Sequence, residues 1–406
     1  MPLNIFTGPL ALLSLLPLSI SMKRNLNFKM LSLNVRGIHS FDKRKALFNW
    51  LVKEKSDIIF LQETYSTPGV ENIWKSQWRG EIFFSHGSEH SRGVMILLKE
   101  KFDCEIKVQR KDEQGRFIIL KSLIQGQPIV LVNIYAPNKI KDQCIFFEEI
   151  QKQLDELELE ENCDVIIGGD FNVILDADLD GAGGKPHVKE SCKNVENLCS
   201  SFDLIDIWRI RNPDVKRFTW RQKNPIVQWH LDFWLINSSF QEEVENVDII
   251  SAIKTDHSAI SLHINGIEET GRGPSFWKFN SSLLEDDDYI KLITDKYSNW
   301  LEEGKGFQDP RILWDFIKYK IRYETITYSK QKARNRREKL SALEKKIKEC
   351  TAKCDEHPIP ENLNDLEILQ IEYDRHYEYI AHSMQIFMTQ VVVIAMAYRL
   401  TNILGI

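Results

Sequence analysis

The sequence predicts a mixed α/β fold, and two observations carry that expectation. From Phe28 to Thr64 an alternating strand pattern, a helical pattern and a second apolar run follow one another, each with its own stop signal. From Gly93 onward, further apolar runs and a long amphipathic helix lead into Val165-Ile166-Ile167, a β-branched run free of charge, as in a strand covered on both faces. With 406 residues, 43% apolar and 10% aromatic, the chain can bury a sizeable core, so one large domain with an appendage is expected.

Taken in order, Phe28 to Asn34 alternates and is closed by Gly37, which makes it a strand ending in Asn34. Phe41 to Glu54 carries Ala46, Leu47, Trp50 and Leu51 at helical spacing, and Ile58 to Leu61 is the next strand. Glu63 follows it directly, so it sits either at the edge of the core or beside a cation. After a loop with Trp74 and Trp78, the runs Gly93–Leu98, Phe117–Ile124 and Pro128–Pro137 read as consecutive antiparallel strands, with a turn at Gly126. Tyr135 ends the last of them. Asp142 to Glu161 reads as a helix with Phe146, Phe147, Ile150 and Leu154 inward.

The strand at Asp164 to Ile167 then meets Gly168-Gly169, expected as a sharp exit with close backbone approach to a neighbour. Alternation sends Asp170 and Asn172 the same way, the first as base or ligand and the second as donor, although an ordinary Asx turn explains the same residues. Asp176 to Gly184 reads as an exposed loop without the ligand ladder of a calcium site. A helix from Ser191 to Phe202 precedes Leu204–Trp208. Arg217–Arg221 and Trp229–Ile236 flank Lys223-Asn224-Pro225, a hairpin whose basic, aromatic tip either enters a nucleic-acid groove or is simply solvated. Asp256-His257 precedes a last strand, and an Asp beside a His can fix its tautomer or its charge.

Composition narrows the chemistry. A net charge of −6 argues against a strongly basic nucleic-acid coat, yet a site for a divalent cation is itself acidic. Seven cysteines without Cys-x-x-Cys spacing point to a reduced compartment rather than a disulfide framework or a zinc centre. Asn34, Glu63, Tyr135, Asp170, Asn172, Asp232 and Asp256-His257 all fall at strand ends. Carboxylates, carboxamides and one His, with no Cys, suit Mg²⁺ and phosphate oxygens.

Six segments, taken together and in this order, carry a family resemblance: Ser32-Leu33-Asn34-Val35-Arg36-Gly37, Asp57 to Thr64, Asn133-Ile134-Tyr135-Ala136-Pro137, Gly168-Gly169-Asp170-Phe171-Asn172, His230-Leu231-Asp232 and Thr255-Asp256-His257-Ser258. The chain resembles the endonuclease/exonuclease/phosphatase superfamily over about Lys29 to Ile264. Within it, the chain is similar to the apurinic-type, exonuclease III-like endonuclease domain of LINE-type (non-LTR) retrotransposon proteins. The resemblance implies a four-layered α/β sandwich and metal-assisted hydrolysis of double-stranded DNA with Mg²⁺, or alternatively Mn²⁺. It also implies residue roles. Glu63 with Asn34 holds the metal, and Asp170, Asn172, Asp256 and His257 are the further candidate ligands. Asp170 activates water, Asn172 and Tyr135 stabilise charge on phosphorus, His257 oriented by Asp256 contacts a phosphate oxygen, and Asp232 supports the site. Thr219, Lys223 and His230 are candidate DNA contacts. Two departures from the LINE-type pattern stand out: Trp229-His230 where Ser-Arg usually precedes the Asp, and Thr255 where Ser precedes the Asp-His pair in many relatives.

Five segments are expected: an apolar extension over 1–27, the superfamily domain over 28–266, a connector over 267–308, a helical, partly coiled-coil segment over 309–383 and an apolar segment over 384–406. Gly271 to Leu284 is similar to the connector that precedes a reverse transcriptase in these retroelement proteins. No Tyr or Phe followed by Ala/Val-Asp-Asp occurs, so a copy truncated before the polymerase is expected. Leu340, Leu343, Ile347, Cys350 and Cys354 recur at three-four spacing, a seam through which the tail would self-associate or fold into a hairpin. Lys330, Lys332, Arg334, Arg336, Arg337 and Lys339 form a basic run, read as a solvated face with RNA backbone as the other reading. Gly8, Pro9 and Pro17 interrupt the first apolar end, and Gln385, Thr389, Gln390 and Arg399 the last, so secretion and membrane association are disfavoured. A nuclear or cytoplasmic location is expected. Two other functions stand beside the DNA endonuclease: a phosphatase or phosphodiesterase of the same fold acting on other phosphates, and a nucleic-acid-binding module without activity.

Overall fold

In the computed structural model, residues 26–160, 162–184, 189–265 and 279–379 are described. The chain begins β1 (Phe28–Asn34), α1 (Phe41–Glu54), β2 (Ile58–Gln62), α2 (Glu71–Gln77), β3 (Gly80–Ser85) and β4 (Val94–Lys99). It continues β5 (Cys104–Lys111), β6 (Phe117–Ile124), β7 (Gln127–Tyr135), α3 (Ile140–Asp155), β8 (Asp164–Asp170), β9 (Gly181–Ala182) and α4 (Lys189–Phe202). Then come β10 (Leu204–Asp206), α5 (Ile207–Arg211), β11 (Trp220–Gln222), β12 (Val227–Trp229), β13 (Asp232–Asn237), β14 (Val244–Ile250) and β15 (Ala259–Ile264). Three helices follow: α6 (Asp287–Glu303), α7 (Pro310–Glu356) and α8 (residues 360–379).

Two six-stranded sheets, ordered β14-β15-β1-β2-β4-β3 and β10-β13-β8-β7-β6-β5, stack face to face. Alternation along each strand decides which side chains fill the gap between them. Phe28 and Met30 of β1, Ile58 and Phe60 of β2, Ile129 and Leu131 of β7, Ile166 of β8, and Trp234 and Ile236 of β13 point into this inner core. Their intervening neighbours point outward. Leu31, Leu33, Ile59 and Leu61 pack under Leu47, Trp50 and Leu51 of α1, whereas Val130, Val132, Val165 and Ile167 pack under Phe147 and Ile150 of α3 and Leu198 of α4. Helix, sheet, sheet, helix is therefore the layer order, a four-layered sandwich.

The same alternation fixes where polarity must begin. Continuing each inward row by two residues from the last inner-core side chain reaches Ser32 and Asn34, Gln62, Asn133 and Tyr135, Gly168 and Asp170, and Asp232. Gln62 and Asn133 close the apolar gap with a buried amide bridge. Gln62 Nε2 donates to Asn133 Oδ1 at 2.7 Å and to Ser32 Oγ at 2.9 Å, while Asn133 Nδ2 donates to the carbonyls of Leu61 and Met95. Unmade, these buried bonds would cost about 1–3 kcal/mol each, so the bridge pins the sheets at the level of the site above it.

Several sequence expectations are corrected here. The loop with Trp74 and Trp78 holds a helix, α2, and a strand, β3, and Cys104–Lys111 is a further strand whose alternate residues face solvent. β4 pairs with β2 and β3, so it does not belong to one antiparallel set with β6 and β7; the chain crosses to the second sheet between β4 and β5. Strand periodicity carries no information about which sheet an apolar strand joins. The Gly168-Gly169 pair makes no sharp exit, because β8 continues through it to Asp170. Its smallness admits neighbours instead: a Cβ on Gly168 would lie 2.2 Å from the Trp234 ring, and one on Gly169, at φ +142°, 2.0 Å from the Ile134 carbonyl oxygen. The hairpin is β11–β12, in a small sheet with β9, and Asp232 opens a separate strand of the main sheet.

The seam on α7 is filled within the chain. Leu340, Leu343 and Ile347 join the outer core of the first sheet together with Trp50 and with Tyr373 and Tyr377 of α8. Trp50 Nε1 donates to the Tyr373 hydroxyl at 3.1 Å, and Lys53 pairs with Glu344. Leu26, placed in the N-terminal extension by sequence, is fully buried in the inner core, and the connector contains α6. The apolar stretch Leu10–Leu18 and the 384–406 segment lie outside the described residues. Among the described residues no helix is long and apolar enough to cross a membrane.

Candidate active site

Asp170 is the centre of the cluster. In register it lies between Tyr135 of β7 and Asp232 of β13, so three adjacent strands deliver their last inward side chains side by side. From the other sheet Asn34 reaches across the gap, and its Nδ2 donates to Asp170 Oδ2 at 2.9 Å and to Glu63 Oε1 at 3.0 Å. Asn34 Oδ1 accepts from the Arg36 backbone N–H, so in this arrangement the amide ties two carboxylates together with its nitrogen.

Glu63 and Asn172 both adopt left-handed backbone, at φ 50° and 51°. Non-glycine residues occupy that region at a cost of about 1–3 kcal/mol, and the surrounding bonds hold them there. Tyr65 donates its hydroxyl to Glu63 Oε2 at 2.9 Å. The Asn172 N–H donates to Asp170 Oδ1 at 3.0 Å, Asn172 Nδ2 donates to the Ala136 carbonyl, and Gln143 of α3 donates to the Asn172 carbonyl.

His257 approaches from the loop before β15. Its Nδ1 meets Asp232 Oδ2 at 3.0 Å and its Nε2 lies 3.9 Å from Asp170 Oδ2. Oxygens of Asp170 and Asp232 and a ring nitrogen of His257 lie within 4.8 Å of one another, the one group of this kind among the described residues. Burial, then the Asp232 carboxylate, pushes Asp170 up to about 7. Burial opposes the charge on His257, but Asp232, Asp170 and Asp256 outweigh it and hold the imidazolium up to about 9. Burial, followed by the carboxylates of Glu63 and Asp170, raises the Tyr135 phenol, which therefore keeps its proton. Asp232 Oδ1 is buried with no hydrogen-bond partner among the described residues. That orphaned oxygen and the oxygen-rich donor set of Glu63, Asp170 and Asp232 fit a hard divalent cation.

The assignments of four residues are revised by these positions. Asp256 does not orient His257; its carboxylate accepts from Arg36 at 2.9 Å and from Trp220 Nε1, and Asp232 takes the orienting position. Asp256 likewise stands outside the ligand cluster. His230 is 1% exposed, stacked on Phe233 with a 4.9 Å centroid distance, and bonded to the Asp232 carbonyl, which removes it from any DNA surface. Thr219 is buried too: its hydroxyl oxygen accepts from the Leu231 and Asp232 N–H groups. Lys223 is exposed, but it pairs with Glu367 of α8 at 2.5 Å. Residues that sequence reasoning missed are Tyr65, which supports Glu63, and Gln62 and Asn133. The last two were legible in principle as polar positions continuing an apolar inward row.

Comparison with known proteins gives four findings. A 29% identical match over 315 residues covers 77% of this chain and 24% of a protein from Xenopus laevis described as "Transposon TX1 uncharacterized 149 kDa protein", so this chain spans about a quarter of that relative. A Bacillus subtilis (strain 168) exodeoxyribonuclease is 24% identical, covering 58% of this chain and 99% of its own. In fold, the chain is similar to the crystal structure of the AP endonuclease LMAP from Leishmania major, at a TM-score of 0.51 and 16% identity over 59% of this chain and 87% of that one. The Endonuclease/Exonuclease/phosphatase family model matches residues 31–257, from β1 through His257, and the chain belongs to that family.

Proposed function

We propose that this chain is a metal-dependent DNA endonuclease of retrotransposon origin, with Mg²⁺ as the ion and Mn²⁺ as its substitute. The observation that carries the reading is the convergence of Asn34, Glu63, Tyr135, Asp170, Asp232 and His257 at one end of the inter-sheet gap. The transposon TX1 relative and the exodeoxyribonuclease relative support DNA as the substrate.

Glu63 and Asp170, joined through Asn34, are the residues that would hold the cation, with Asp232 beside them. When bound, a divalent ion supplies Lewis acidity to the scissile phosphate. The chain's own groups do the rest. Asp170 accepts the proton of the attacking water as the new P–O bond forms. The His257 imidazolium, aimed by Asp232, donates a hydrogen bond to a non-bridging phosphate oxygen as charge builds there. Asn172, fixed to Asp170 and Ala136, and the protonated Tyr135 phenol flank the same position. The P–O bond to the leaving sugar oxygen breaks and that oxygen takes up a proton from solvent.

The test is nicking of supercoiled plasmid by the full chain with Mg²⁺. Relaxed circles are expected, absent on chelation and in Asp170→Ala. Intact plasmid with folded wild-type protein and Mg²⁺ overturns the reading, and turnover of small phosphate esters with DNA untouched replaces it with a phosphatase.

A further inference from the structure

Helix α7 carries six basic residues and one acidic residue between Lys330 and Lys339, in a chain whose net charge is −6. Such runs are usually solvated, so the run alone decides nothing. The structure adds a concavity. A cleft of about 570 Å³ lies between α7, α8 and the start of α6, lined by Lys332, Arg336 and Lys339 on one side and His376 and Tyr379 on the other. Asp288 is its one carboxylate among the described residues.

The cations in it differ in their commitments. Lys332 is tied to Asp286, whereas neither Arg336 nor Lys339 has a carboxylate within ion-pair distance among the described residues. Across the cleft, His376 Nε2 is buried without a hydrogen-bond partner among the described residues, and Tyr379 is 60% exposed. Burial, then the nearby Arg336 charge, lowers His376, so the ring facing the cations is neutral and leaves the cleft's positive charge on Lys and Arg. Cations without a carboxylate partner opposite an exposed aromatic side chain are elements that bind a polynucleotide strand, phosphates on one wall and a base on the other. The volume takes one or two nucleotides and excludes a duplex.

We propose that this cleft binds a single strand of nucleic acid, separately from the duplex at the catalytic centre. Arg336 and Lys339 would neutralise two successive phosphates, and Tyr379 would stack on a base. An RNA strand and a DNA strand share this backbone chemistry, and the test separates them.

The experiment is fluorescence anisotropy of a labelled single-stranded RNA, and of DNA of the same sequence, with the full chain in EDTA so that nothing is cut. Salt is titrated from about 50 to 200 mM. Wild type is expected to bind a single strand more tightly than the matching duplex. R336Q/K339Q is expected to weaken binding about tenfold or more and to flatten the log–log salt slope by about 1.4, at about 0.7 per lost contact. R334Q/K345Q, which removes equal charge from another face of α7, is expected to bind as wild type does. Preference for RNA assigns the sugar hydroxyl a part, and equal binding assigns the backbone alone; either supports the cleft. An unchanged R336Q/K339Q, an equal loss in R334Q/K345Q, or preference for duplex overturns it. Plasmid nicking is expected to be unchanged in R336Q/K339Q, and nicking without any strand binding sinks this proposal while leaving the endonuclease reading intact.

Discussion

Asp232 Oδ2 lies 3.0 Å from His257 Nδ1, and Asp232 stands in register directly beside Asp170. One carboxylate thus aims the imidazolium and raises the neighbouring acid. Asp232→Asn removes the charge and leaves the shape. Nicking is expected to fall by about 10²–10⁴-fold in kcat, with KM for plasmid within a few-fold, because the imidazole loses both its charge and its tautomer. A loss below about fivefold would show that Asp232 is only structural.

His230 is a core residue, so its removal should be felt in stability. His230→Ala empties the space between Phe233 and Trp208 and frees the Asp232 carbonyl. A loss of about 2–4 kcal/mol in urea unfolding is expected, with DNA affinity of the folded fraction unchanged. Wild-type stability combined with weakened DNA binding would restore His230 as a DNA contact.

Asp355 on α7 receives Arg217 at 3.0 Å and also Arg221, all three largely buried, while Gln228 Nε2 donates to the Cys354 carbonyl. Between the two arginines sits Thr219, whose hydroxyl holds the start of β13. Asp355→Ala leaves two guanidinium groups without their carboxylate, a change that costs about 3–5 kcal/mol when a buried pair is broken. Limited proteolysis should then cut the helical pair and the β11–β12 hairpin earlier than in wild type. Identical digestion patterns would mean that the pair contributes nothing to docking.

Asp286, at the N-cap of α6, accepts from the Tyr328 hydroxyl at 2.9 Å and from Lys332. Burial alone would raise this carboxyl, but the Lys332 and Tyr328 bonds outweigh it and hold it below its ordinary 3.8. A depressed carboxyl contributes stability above its unfolded value and loses it as pH falls through the lower, folded one. In acid titration followed by circular dichroism, the advantage of wild type over Asp286→Asn should be constant above about pH 5 and shrink below the ordinary value near 3.8. A constant difference down to pH 2 contradicts this account.

The sequence by itself determined the strands that carry the site. A strand ending at Asn34, Glu63 just past an apolar run, and Asp170 after Ile166 and Ile167 all follow from period-2 alternation, which is local and written in side-chain order. So was the seam on α7, since its spacing is a property of one helix. Only the tertiary structure decided that Asp232 rather than Asp256 holds His257. Neighbours in sequence on an extended segment point apart, whereas the stacking of the two sheets brings Asp232 against His257, 25 positions on. For the same reason a His at a strand start proved to be core, a lysine at a hairpin tip proved to be paired with a distant helix, and a helical seam found its partner on the first sheet. Which surfaces meet depends on long-range packing, and no local pattern encodes it.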